Sequence, residues 1–183
     1  MLFRSTVSQS QTVASTTITA GAPAFYVGTE NLGTGSARNL ILETGGTARV
    51  TVDASTGNAT FTGAVLHNST GGVGYSTGAG GTVTQGTSRT TGVTLNKTCG
   101  QITLFSKTTT AGLIETFTVT NSTVAATDTV IVNHQSAGTA GQYIIYVAAV
   151  SAGSFQISVY TPSAQSPAAA PVLNFSVIKA VTA

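Results

Sequence analysis

The sequence predicts an all-β protein. An N-terminal arm and a short β segment precede an antiparallel β-sandwich or jelly roll, and the chain is expected to associate with further copies of itself. Three observations predict this. Thr (35 residues) and Gly (21) are abundant in the 183-residue chain, and no stretch carries the long apolar periodicity of a helix. Thr and Val are β-branched and favour strands, whereas Gly marks turns and close backbone approach. Apolar residues also alternate with polar ones in short runs bounded by turn signals. Finally, some runs are too thin to bury anything alone and another is apolar on both faces, so further copies of the chain are the expected cover.

Residues 1–24 are rich in Ser, Thr and Gln, with weak alternation at Val13 and Ile18. Phe25-Tyr26-Val27 is an isolated apolar patch, followed by a Gly-rich loop to residue 37. Residues 1–37 thus read as an extended arm. Such an arm either stays disordered or adds a strand to the sheet edge of a neighbouring protein.

Residues 38–65 hold NLILET and RVTVDA on either side of a Gly45-Gly46 turn, then Ser55-Thr56-Gly57-Asn58 and the run ATFTGAV. Each run is about five residues long and reads as a strand. Their apolar positions Leu40, Leu42, Val50, Val52 and Phe61 are candidate oligomer-interface residues. Asp53 and Asn58 are turn formers, and Arg49 is within reach of a carboxylate such as Asp53 or Glu43 of its own chain or a neighbour's.

Residues 66–89 are so rich in Gly, Ser and Thr that they read as a linker. His67 lies there as a solvated side chain, the alternative being that three copies meet on a trimer axis around an ion.

Residues 90–183 form the expected sandwich. Candidate strands lie at 91–96, 100–106, 115–121, 128–134, 142–150, 154–160 and 172–180, with a short one at 82–85, and the stretch from Pro162 to Pro171 reads as a loop. Phe117 with Val119, Val130 with Val132, and Phe155 with Ile157 and Val159 alternate toward an interior. In 142–150, Tyr143, Ile145 and Val147 alternate with Ile144, Tyr146 and Ala148, so both faces are apolar. One face belongs to the core, and Ile144 and Tyr146 on the other are assigned to a subunit interface.

The order Asn39-Leu40-Ile41-Leu42, Gly45-Gly46, Arg49, Val50-Thr51-Val52-Asp53, Thr56-Gly57-Asn58, Phe61-Thr62-Gly63 resembles the repeat of bacteriophage tail fibres and related trimeric fibre proteins. Residues 78–104, 120–134 and 172–183 look like a C-terminal module of phage structural proteins. The resemblance implies that residues 38–65 form an intertwined β segment of a homotrimer, and it implies a location in the virion, with assembly in the host cytoplasm. It implies that the arm docks on capsid or tail proteins, and that the sandwich contacts a host-surface glycan or protein. A short fibre or spike and a capsid decoration protein are both compatible with it.

Chemistry is poorly represented. Glu30, Glu43, Asp53, Glu115 and Asp128 are spread along the chain, and there is no Trp, so neither a carboxylate dyad nor a sugar-stacking platform is legible. A polysaccharide-active enzyme is the weakest reading. Asp128 and His134 share strand parity but lie roughly 20 Å apart along an extended chain. His134 reads as a strand-end surface residue, and Cys99 as a small buried one. The run GGVGYSTGAGG lacks the Gly-Lys-Ser/Thr ending of a phosphate loop. No catalytic, cofactor or metal residues are assigned, and no cofactor is expected. Arg4, Arg38, Arg49, Arg89, Lys97, Lys107 and Lys179 are scattered and the net charge is only +2, which argues against nucleic acid as a partner. No run reaches the ~18 apolar residues of a membrane helix, so no membrane insertion is expected.

Overall fold

The computed structural model describes residues 36, 38–66, 72–139 and 141–181. The chain divides into two units, Met1–Gly71 and Gly72–Ala183. The expected arm over 1–37, apart from residues at 36, and His67 lie outside the described residues.

The first unit is a meander: β1 (Leu40–Thr44), β2 (Thr47–Val52) and β3 (Ala59–Phe61) pair antiparallel in the order β1-β2-β3. Gly45 and Gly46 have φ of +59° and +74°, so both central turn residues are left-handed, the geometry that folds one strand directly back on the next. This tight turn lets β1 and β2 pair within one chain. None of residues 38–66 is buried.

The described residues of the second unit form ten strands: β4 (Thr82–Thr84), β5 (Val93–Thr94), β6 (Cys99–Thr103), β7 (Lys107–Thr109), β8 (Leu113–Thr120), β9 (Thr129–Ser136), β10 (Ile144–Ser151), β11 (Ser154–Thr161), β12 (Gln165–Ala169) and β13 (Val172–Ile178). One four-stranded sheet runs β4-β6-β13-β9, the other β10-β11-β8-β5, and β12 pairs with β7 beside them. The inward residues of both large sheets make one core. Ile102, Leu173, Phe175 and Val177 come from the first; Phe117, Val119, Phe155, Ile157 and Val159 come from the second. Phe155 and Phe175 meet across it at 5.2 Å. The arrangement is sandwich-like and all-β, with no helix among the described residues.

Three expectations need correction. The sheets are mixed, because β4 runs parallel to β6 and β5 parallel to β8. The chain crosses from the first sheet to the second at β5 and back at β6; two reversals return it in its starting direction. The loop expected over 162–171 contains β12, which pairs with β7, a strand of Lys and Thr with no apolar alternation to announce it. Lastly, much of the expected linker belongs to the second unit. Gln85 and Arg89 are buried, and Tyr75 donates from its hydroxyl to the Val177 carbonyl. Lys97 Nζ and Thr98 Oγ1 hold the carbonyls of Gly78 and Ala79 at 3.0 and 3.4 Å. The Gly-rich segment from residue 72 thus lies against the sheet that contains β13.

Candidate functional site

In the first unit, Leu40 stands opposite Val52, and Leu42 opposite Val50, which stands opposite Phe61. Directly paired residues point to the same side of an antiparallel sheet, and residues two apart share a face. All five sequence-assigned residues therefore occupy one face. That face is open: Leu42 is 55% exposed and Phe61 50%. A three-stranded sheet of this size that leaves its apolar face exposed removes little apolar area from water, and covering that face would stabilise it.

Local hydrogen bonds close the turns at the ends of the sheet. Asp53 Oδ1 accepts four hydrogen bonds, from the amides and the hydroxyls of Ser55 and Thr56, at 2.7–3.1 Å. The Ser55 hydroxyl, then the Thr56 amide and hydroxyl, favour the charged form and lower the Asp53 pKa to about 2. These bonds satisfy Asp53 Oδ1 locally. Arg49 Nε donates to Thr44 Oγ1 across the Gly45-Gly46 turn at 2.8 Å, and to neither expected carboxylate.

In the second unit β10 has the predicted two faces. Tyr143, Ile145, Val147 and Val150 pack against the core. Ile144 and Tyr146 point outward, 53% and 44% exposed. A bulge between Val147 and Ala149 restores the phase, so that Val150 again faces inward. Ile144 stands opposite Tyr160, and Tyr160 opposite Ile114, itself 56% exposed. The structure thus extends the assigned pair into a row across three strands.

One pole of the core is polar. The Arg89 side chain is fully buried. Its Nε donates to the Phe105 carbonyl at 3.1 Å and its Nη2 to the Ala169 carbonyl at 2.8 Å. Its guanidinium lies 5.4 Å from the Tyr143 ring centre and 3.9 Å from Glu115 Oε2, while Lys107 Nζ holds Glu115 Oε1 at 2.9 Å. Gln85 closes the loop beneath, donating to the carbonyls of Arg89 and Thr91 and accepting the Phe105 amide. Sequence reading left Arg89 as a scattered cation. A signal was present: Glu115 alternates with Phe117 and Val119 at an inward position of β8, and an inward carboxylate calls for a cation.

His134 is half-buried within β9, its ring edge-on to Tyr143 at 5.5 Å. Its Nε2 donates to the carbonyls of Ser136 and Ala137 at 3.0 and 2.7 Å, which fixes the proton on that nitrogen. Asp128 is engaged elsewhere: it accepts the Ala125 amide at 2.8 Å and Lys179 Nζ at 2.6 Å. The Ala125 amide and then Lys179 lower its pKa. Cys99 is half-buried with a free thiol. Among the described residues no group of three or more His, Cys, Asp or Glu could hold a metal ion. No helix of the described residues is long and apolar enough to cross a membrane.

No family model, curated protein or solved structure matches this chain.

Proposed function

We propose that the chain is a non-enzymatic structural protein of a bacteriophage particle. In this reading it is a short homotrimeric fibre or spike, anchored through residues 1–37, that offers its jelly-roll-like second unit to a glycan or protein of the host surface. The observation that carries the assembly half of this reading is the apolar face of the first unit. Leu40, Leu42, Val50, Val52 and Phe61 lie side by side, and no residue of 38–66 is buried. Three such faces turned toward a common axis cover one another, each chain contributing its own meander. The particle half rests on the resemblance of residues 39–63 to the fibre repeat.

Native mass spectrometry of the full chain is expected to give three times the 18.3 kDa chain mass. Immunogold labelling of purified particles is expected to decorate a tail or fibre tip. Label spread over the head would replace the spike by a capsid decoration protein, and label absent from particles would end the virion reading.

A further inference from the structure

The two outer faces of the second unit are treated differently by the chain. Against part of the sheet β4-β6-β13-β9 the chain lays its own segment from residue 72 onward, pinned by the Tyr75 hydroxyl on the Val177 carbonyl and by Lys97 on Gly78, while Ile131 and Ile178 of the same sheet stay about half exposed. Among the described residues of the second unit no segment is pinned in this way on the sheet β10-β11-β8-β5. At one end its outward row Ile144–Tyr160–Ile114, with Tyr146 beside it, forms an apolar band, and Ile114 and Ile144 are each more than half exposed. The rest of its outward positions are Thr, Ser, Gln and Ala.

No Asp, Glu, Lys or Arg occupies an outward position of this sheet. The one Asp, Glu, Lys or Arg on its strands points the other way: Glu115 of β8 faces inward, where Lys107 and Arg89 meet it. A face that meets its own copy places like charges together if it carries any. An uncharged face avoids that repulsion and leaves no ion stripped of water. Apolar and aromatic side chains at the centre of a patch with a polar rim are the anatomy of a protein contact.

We propose that the outer face of β10-β11-β8-β5, centred on Ile114, Ile144, Tyr146 and Tyr160, is a self-association surface that takes the same unit of a second copy of this chain. It deepens the oligomeric part of the reading above and is independent of the virion part. It also places a second contact in the assembly, separate from the face of the first unit.

The test uses the full chain. Ile114 and Ile144 are exposed in the single chain, so Ile144→Asp, Ile144→Lys and the double variant I114D/I144D are expected to keep the wild-type circular dichroism spectrum. Each is expected to weaken association roughly a hundredfold or more in sedimentation velocity, the cost of an unpaired charge in a desolvated contact. Mixing Ile144→Asp with Ile144→Lys is expected to recover part of the loss. A folded I114D/I144D variant with wild-type association overturns the proposal while leaving trimerisation through the first unit standing. A wild-type chain that stays monomeric up to high concentration overturns both. Association lost in these variants, together with particles that carry no label, supports the surface and ends the virion reading alone.

Discussion

Arg89→Met is expected to be among the most destabilising single substitutions in the second unit, and the structure says how much of the loss comes from which contact. Methionine preserves roughly the volume and apolar stem but removes two donors. The carbonyls of Phe105 and Ala169, held at 3.1 and 2.8 Å, lose their partner, and Glu115 keeps only Lys107. Hydrogen bonds from a charged donor contribute about 1.5–3 kcal/mol each. Breaking a buried ionic group from one side costs about 3–5 kcal/mol. The two estimates agree on a loss of about 3–5 kcal/mol, against a total stability on the order of 5–15 kcal/mol. The Glu115 contact contributes the smaller part: at 3.9 Å it is long, and Lys107, a third exposed, already shares the carboxylate. Arg89→Lys separates charge from geometry. A single ammonium cannot span both carbonyls as the planar guanidinium does, so about half the loss is expected to remain. Urea unfolding followed by far-ultraviolet circular dichroism is the assay, since the chain has no Trp. A loss below about 1 kcal/mol for Arg89→Met, or full rescue by Arg89→Lys, would falsify the assignment of Arg89 to the carbonyl fork.

Further outcomes follow from single sites. The Asp53 carboxylate is expected to titrate near 2 by NMR in the full chain. Because its pKa is depressed on folding, its contribution is present above the ordinary Asp value and is lost as the pH falls toward 2, so the 53–58 turn should loosen only in strong acid; a midpoint near 4 would contradict the four-bond turn. Lys179→Ala should raise the Asp128 midpoint yet leave it below the ordinary range, since the Ala125 amide is the larger cause. Gly100→Ala should destabilise by about 1–3 kcal/mol, because a Cβ there meets the Gly81 carbonyl at 2.6 Å and Leu95 at 2.8 Å, whereas Gly86→Ala, with nothing within 4 Å, should be close to neutral. Phe61→Ser should lower trimer yield in native mass spectrometry with little change in the second unit's unfolding, and unchanged trimer yield would remove Phe61 from the interface.

The strands legible in the sequence are those whose side chains are sorted by burial. Phe117 and Val119, or Phe155, Ile157 and Val159, alternate because one face of the strand meets the core, and the structure buries all five. β7 and β12 escape that logic. Lys107–Thr109 and Gln165–Ala169 are held by pairing with each other at the polar pole, and neither carries an alternating apolar face. Strand direction escapes it too. Alternation is the same read forward or backward, so the parallel pairs β4–β6 and β5–β8 follow only from the path between sheets. Arg89 was hidden by its setting, because a cation in a Gly- and Thr-rich stretch looks solvated until Glu115 is seen to face inward across from it.

The apolar residues that break a strand's phase say more about assembly than those that keep it. Ile144, Tyr146 and Tyr160 occupy outward positions where a monomer would gain from Thr, Lys or Glu, and Ile114 joins them from a third strand. A single outward Ile is ordinary on a protein surface. A row shared by three adjacent strands, with no charge at any outward position of the sheet, is not scattered exposure. In the first unit the same departure is more complete, since five apolar side chains gather on one face of a sheet in which no described residue is fully buried. Both surfaces are legible one residue at a time in the sequence, but only strand register brings Leu42, Val50 and Phe61, or Ile144, Tyr160 and Ile114, into line. If the trimer depends on both, charging one of them should weaken it without abolishing it, and charging both should leave the single chain.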